Sequence, residues 1–419
     1  MRVGVEASAV VHQRTVNLPQ DILEIIITDL GDDLLNLKAF STTCYSWYIA
    51  AAPHLHRTLT LEERPSDKTR AELKPLANLG KMGLLPFVKK LWIQCSSFEP
   101  WISPRKFDQQ TLRYFSALTN VQQLRIERFD LSKFMPGIER YFGHFAPELR
   151  SISLMISSGT QRQLLYFLSL FPNLDDIEIE YHPTANPDAT TNPGSEEVAI
   201  PFSVPSLRGQ LKLTHFPSET ISRDMITLFG GLRFRYMDLC SVEGSRLLLD
   251  ACADTLQTVR IDPVVPNSTE SILTPQKFTL TERIETSGGL PQDFDLSHLR
   301  SLQSLEVTAS SVSQVHQGTP HLLRDIASTI KSQAFSEVVL IFQHPDLYRP
   351  SHIPFNAFRQ MYSKKKFRLV FCLEVSKKYR DVGFQAMWRR MELEMTHRRL
   401  DFLESPPTLM VSERNCWTG

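Results

Sequence analysis

Val88-Lys89-Lys90-Leu91-Trp92-Ile93 and Val121-Gln122-Gln123-Leu124-Arg125-Ile126 share one pattern, apolar-x-x-apolar-x-apolar, 33 residues apart. The same pattern returns at 149–154 (LRSISL), 174–179 (LDDIEI), 234–239 (FRYMDL), 256–261 (LQTVRI), 302–307 (LQSLEV) and 335–340 (FSEVVL), with a looser copy at Leu207, Leu211 and Leu213. Leu59-Thr60-Leu61 reads as an opening half-copy. The apolar-polar-apolar end of each copy has the period of a strand with one buried face. Helical periodicity fills the spaces between them at 109–118, 161–171, 220–228 and 244–253. One such copy is too short to bury its own apolar face, so the copies must stack and share a core. The expected class is therefore α/β: a solenoid of parallel strands with helices outside. A doubly wound sheet would need longer apolar strands and a glycine-rich strand-to-helix turn, and the sequence has neither.

Upstream, Leu18-Pro19 leads into a predicted helix over Gln20–Leu30. Its apolar residues Ile22, Leu23, Ile25, Ile26, Ile27 and Leu30 sweep an arc of about 200° at 100° per residue. A helix resting on a single core needs a stripe about half as wide, so this one has apolar surface to spare. Gly31-Asp32-Asp33 ends it and caps a second helix carrying Leu34, Leu35, Leu37 and Phe40. A third holds Cys44 and Trp47 and is expected to stop at Pro53. A bundle this small should lean on a neighbour in the chain, on a partner, or on both.

Composition narrows the function classes. The 46 Lys+Arg balance 46 Asp+Glu over 419 residues, so no overall basic field marks a nucleic-acid binder. Residues 1–62 nevertheless carry −3 and residues 343–419 carry +6. The six cysteines are scattered and read as small buried hydrophobes, Asn267-Ser268-Thr269 as an unused sequon, and no run reaches the ~18–20 apolar residues of a membrane helix. With no apolar leader in residues 1–17, an intracellular location, cytoplasmic or nuclear, is expected. Phosphate loops, dinucleotide fingerprints, zinc-protease helices and nucleophile elbows are missing, and His54-x-His56 lacks a third ligand. No catalytic residue, metal or cofactor is therefore assigned.

The stretch from Leu18 to Leu61 (LPQDILEIIITDLGDDLLNLKAFSTTCYSWYIAAAPHLHRTLTL) resembles the F-box as found in fungal proteins. Leu18, Pro19, Asp21, Ile22, Leu23, Ile26, Leu30, Leu34, Leu37, Cys44, Ser46 and Trp47 fall where that pattern places them, and His56 stands where a Phe often follows. The array beyond resembles the irregular leucine-rich repeats that commonly follow an F-box, without their regular asparagine. The resemblance implies a substrate-receptor subunit of an SCF-type cullin–RING ubiquitin ligase. Its F-box would dock on a Skp-type adaptor and its repeats would hold a protein target, with neither nucleic acid nor membrane as partner. It implies an adaptor contact drawn from Leu18, Pro19, Ile22, Leu23, Ile26, Leu30, Leu34, Leu37, Cys44 and Trp47. Some of these must hold the bundle together instead, and helical phase does not say which. The alternative is a non-catalytic repeat scaffold with no ligase role.

The domain expectation is a flexible 1–17, an F-box over 18–61, a leucine-rich-repeat-like solenoid over 62–345 and a capping strand and helix over 346–419. Within that cap, Phe367–Leu373 reads as a strand and 376–403 as a helix. Loops are expected at 183–197, 263–275 and 286–293. The polar position of each copy must point away from the core. Stacking would align Trp92, Arg125, Ser153, Glu178, Lys212, Asp238, Arg260, Glu306 and Val339 along one wall, the expected target-binding face, with Trp92 and Arg125 as its anchor.

Overall fold

The computed structural model describes residues 18–31, 33–62, 74–94, 109–131, 138–181, 207–214, 219–239, 245–261, 296–309, 329–342, 355–375, 389, 403–405 and 407–413. The predicted N-terminus, the three predicted loops, Asn267, Cys95, Cys240, Cys416 and nearly all of the predicted helix at 376–403 lie outside these residues.

Three helices come first: α1 (Gln20–Leu30), α2 (Leu34–Ser41) and α3 (Tyr45–Leu55). Asp33 caps α2, its carboxylate accepting from the N–H groups of Leu35 and Asn36. The expected stop at Pro53 is corrected, because α3 runs on to Leu55 with Pro53 inside its last turn. The His56 N–H donates to the Ala52 carbonyl, which keeps that turn closed. Leu23, Ile27, Leu37, Ala50 and Ala51 form the bundle's own core, with Leu30, Phe40, Trp47 and Leu55 packed against it. Ala52, the next residue on α3, belongs to the main core of the chain, where Tyr48 joins it. The bundle therefore leans on its neighbour through α3.

The remainder is α/β, and twelve strands among the described residues form one parallel sheet ordered as they occur in the chain. They are β1 (Thr58–Glu62), β2 (Lys90–Gln94), β3 (Gln123–Asp130), β4 (Ser151–Ser158), β5 (Asp176–Tyr181) and β6 (Gln210–Thr214). After these come β7 (Tyr236–Leu239), β8 (Thr258–Ile261), β9 (Ser304–Ala309), β10 (Glu337–Phe342), β11 (Arg368–Val375) and β12 (Thr408–Glu413). A doubly wound sheet reverses its order at a switch point, and this one does not. Between strands lie α4 (Lys74–Lys81), α5 (Gln109–Ser116), α6 (Ile138–Phe142), α7 (Gln161–Ser169), α8 (Glu219–Leu228), α9 (Ser245–Ala251) and α10 (Phe355–Lys364). Thr160 and Gln163 form a reciprocal capping box at the start of α7.

One apolar core runs from Ala52 to Phe371. Each strand from β1 to β11 contributes two alternate residues, such as Leu91 with Ile93 and Leu124 with Ile126, all buried. Phe167 on α7 meets Phe129, Phe142 and Phe171 at ring distances of 5.3, 5.4 and 5.2 Å. Strand entry is stereotyped. Two successive N–H groups share one carbonyl of the preceding unit: Gln122 and Gln123 donate to Lys89, Arg150 and Ser151 to Gln122, Gln257 and Thr258 to Arg235. A second ladder follows just before the pattern. Asn120 Nδ2 donates to the Pro86 carbonyl, Asn173 Nδ2 to Pro147 and Ser301 Oγ to Asp254, at 2.8, 2.8 and 2.7 Å. In each case the donor stands one residue before a pattern and the acceptor two residues before the preceding one.

The C-terminal segment holds one strand more than expected. The strand foreseen at 367–373 is β11, but its edge is not left for a helix, since β12 pairs with it in parallel. Strands β10 and β11 are apolar on both faces. Val338 and Leu340 join the main core, while Val339, Ile341, Val370 and Cys372 form a separate buried cluster on the opposite side.

Candidate functional site

Two surfaces carry the predicted residues. The first is the outside of the bundle. Of the ten large apolar residues exposed among the described residues, seven belong to it: Leu18, Ile22, Ile25, Leu34, Leu35, Tyr45 and Ile49. They come from all three helices and the turn before α1, so the exposed apolar surface belongs to the bundle and not to one helix.

The structure sorts the predicted adaptor residues. Leu18, Pro19, Ile22, Leu34 and Cys44 are exposed, and Ile26 and Leu30 are half-buried. Leu23 and Leu37 are corrected: both sit in the bundle core with almost no surface, so they hold the three helices together. Trp47 is half-buried and stacks on Phe40 with ring centroids 4.7 Å apart, which makes it mainly a packing residue. Cys44 is also corrected as a buried hydrophobe, because it occupies the cap position before α3, outside the core; Cys252 and Cys372 are buried as expected. Ile25, Leu35, Tyr45 and Ile49 were missed as surface residues. The wide apolar arc of α1 already contained Ile25, but the others depend on how the helices face one another.

The second surface is the sheet face turned away from the main core. Trp92, Arg125, Ser153, Glu178, Lys212, Asp238, Arg260, Glu306 and Val339 stand in lateral register from β2 to β10, each opposite the next. The first eight are half-buried, while Val339 is corrected to buried and belongs to the C-terminal apolar cluster. The row is knitted together by its own contacts. The Arg125 guanidinium lies 5.2 Å from the Trp92 ring centroid and 2.8 Å from Glu127 Oε1. Lys212 approaches Glu178 at 3.9 Å, and Arg260 approaches Asp238 at 3.6 Å while its Nε donates to Thr308 Oγ1 at 2.9 Å.

Tyr236 donates to Glu306 Oε2 at 3.1 Å, and burial together with the Glu306 and Asp238 charges pushes its phenol far above the ordinary range. The phenol therefore stays a donor. Glu127, Tyr236 and Thr308 were missed because they stand one ladder rung away from the predicted row. Strand β3 also carries a bulge, with register shifts around Phe129 and Arg128 at a φ of 55°, next to the Arg125–Glu127 pair.

No family model matches the chain, and no curated protein does either.

Among the described residues no helix is long and apolar enough to cross a membrane, and no three His, Cys, Asp or Glu side chains gather as a metal site.

Proposed function

We propose that the chain is a substrate receptor of an SCF-type cullin–RING ubiquitin ligase. In this reading residues 18–61 act as an F-box docking on a Skp-type adaptor. The strand-and-helix array acts as a leucine-rich-repeat-like solenoid, and the open face of its sheet holds a protein target. The observation that carries the reading is the number of large apolar side chains that the bundle leaves exposed. A bundle of three short helices that spends Leu23, Ile27 and Leu37 on its own core and still exposes seven large apolar side chains is built to be covered.

The serial order of the parallel strands and the Asn120, Asn173 and Ser301 ladder support the repeat reading. Each of these side chains ties its copy to a main-chain carbonyl of the copy before it. The receptor would have no active site of its own. It would raise the rate of ubiquitin transfer by holding the target near the charged conjugating enzyme, a proximity effect worth several kcal/mol in favourable cases. The location implied is the cytoplasm or nucleus.

Affinity capture of the full chain from cells tests this. The wild type should bring down adaptor and cullin together, and Ile22→Glu should bring down neither while keeping its thermal unfolding transition. Equal recovery with Ile22→Glu, or a wild type that captures no adaptor, would leave the bundle as a mere end cap of a repeat scaffold.

A further inference from the structure

We propose that the helical side of the molecule carries a separate ligand site: the cavity between α5 and α6 binds a small phosphate monoester through Arg113 and Arg140. The cavity holds about 610 Å³ and is lined by Leu112 and Arg113 of α5, Glu139 and Arg140 of α6, and His144 in the turn that follows. The space is an open groove and not an enclosed pocket, so a ligand would lie in it with one side in solvent. Phe115, Ile138 and Phe142 of the same two helices are buried in the main core. The cavity therefore opens on the face opposite the Trp92–Glu306 row, and a ligand there would not compete with a target held on the sheet.

Charge defines the ligand. Arg113 and Arg140 are both exposed, come from successive units, and neither is ion-paired among the described residues. Glu139, the one carboxylate in the lining, is engaged from outside the cavity by the Tyr166 hydroxyl. Burial and that hydrogen bond push the Tyr166 phenol up to about 12, so it remains a donor to Glu139. Two planar guanidinium forks match the oxygens of a doubly charged phosphate monoester, whereas a single carboxylate satisfies one fork at a time. Leu112 provides an apolar wall for an organic body attached to the phosphate, and His144 adds a further ring nitrogen at the rim.

Calorimetric titration of the full chain with phenyl phosphate tests the site, with inorganic phosphate, benzoate and benzyl alcohol as comparison probes. Phenyl phosphate should saturate one site, tighter than inorganic phosphate and at least tenfold tighter than benzoate, with no heat from benzyl alcohol. Arg113→Gln with Arg140→Gln should weaken phenyl phosphate at least tenfold and leave adaptor capture unchanged, since no residue of the bundle lines the groove. Should that pair unfold, Arg140→Lys keeps the charge, removes the fork, and should still weaken binding severalfold. Absence of saturable binding, benzoate binding as tightly as phenyl phosphate, or unchanged affinity in the Arg variants would overturn the proposal.

Discussion

Replacing Ile25 and Leu35 together with Ala tests the bundle surface with the least damage to the fold. They leave 57% and 81% of their surface exposed, so neither supports the core. Burying a whole Ile or Leu side chain stabilises by about 1.5–3 kcal/mol. Covering the exposed fractions would then contribute about 0.9–1.7 kcal/mol at Ile25 and about 1.2–2.4 kcal/mol at Leu35. Taken as additive across two helices, the double variant should lose about 2–4 kcal/mol, roughly 30- to 1,000-fold in Kd. Its unfolding free energy should stay within about 0.5 kcal/mol of wild type, as for other surface changes. Leu23→Ala is the opposite case: it empties a core position and should cost about 2–5 kcal/mol of bundle stability. Surface plasmon resonance of the purified full chain against a purified Skp-type adaptor gives the first number, and urea unfolding gives the second. An adaptor Kd within twofold of wild type for Ile25→Ala with Leu35→Ala would refute the assignment of this surface.

Trp92→Ala with Arg125→Ala removes the cation–π pair at the N-terminal end of the open face; quantitative co-purification should show target loss with adaptor retained, and unchanged target yield would move the reading face elsewhere. Asn173→Ala removes one rung of the side-chain ladder and should lower the unfolding free energy by about 0.5–1.5 kcal/mol in urea, while no change would deny the ladder a structural role. Asp176→Asn should stabilise the chain at pH 7. Burial raises the Asp176 pKa, so its charged form costs stability above the folded pKa, and the advantage of Asn should fade as pH falls through that value; an advantage that grows on acidification would reverse the sign argued here.

The sheet was legible because a strand with one buried face must alternate. Each copy of the apolar-x-x-apolar-x-apolar pattern quoted from the sequence coincides with one of the strands β2 to β10, although the same spacing at Leu165, Leu168 and Leu170 belongs to α7 and its C-terminal cap. Strand β12 escaped because Thr408–Glu413 has no apolar lead three residues earlier, and its place is fixed by the open edge of β11. Pro53 misled for a local reason. A proline in the last turn sacrifices one hydrogen bond and leaves the rest of the turn intact. In the bundle, the amount of apolar surface was readable but its division was not. Leu34, Leu35 and Leu37 look alike in sequence, and only the packing of α2 on α3 buries Leu37 and leaves the other two outside.

Gly209 shows how one departure from the repeat forces another. Strands usually open with two N–H groups on one carbonyl, but at β6 only the Gly209 N–H goes to Asp175, and the Gln210 N–H turns to Asp176 Oδ1 at 2.8 Å. A Cβ on residue 209 would stand 2.0 Å from that same oxygen, so the carboxylate can reach in only over a glycine.

The charged row answers a related constraint. In an in-register parallel sheet each side chain faces its counterparts one strand away, about 4.8 Å distant, and like charges placed directly opposite are destabilising. The sequence meets this by alternation: Glu178, Lys212, Asp238, Arg260 and Glu306 change sign at every step. Asp238 and Arg260, with side chains only 15% and 12% exposed, are the most committed to each other. A target charge arriving at the middle of the row must displace a partner already in place, and it gains only the difference. Beyond β9 the face turns apolar and is buried. That leaves the β2–β3 end, where an indole, a guanidinium and a bulged strand meet, as the part of the face where a new contact competes least with the sheet's own. It is also the end next to the bundle, since β1 follows α3 and pairs with β2. Under the proposed function, a target gripped there would lie beside the bundle.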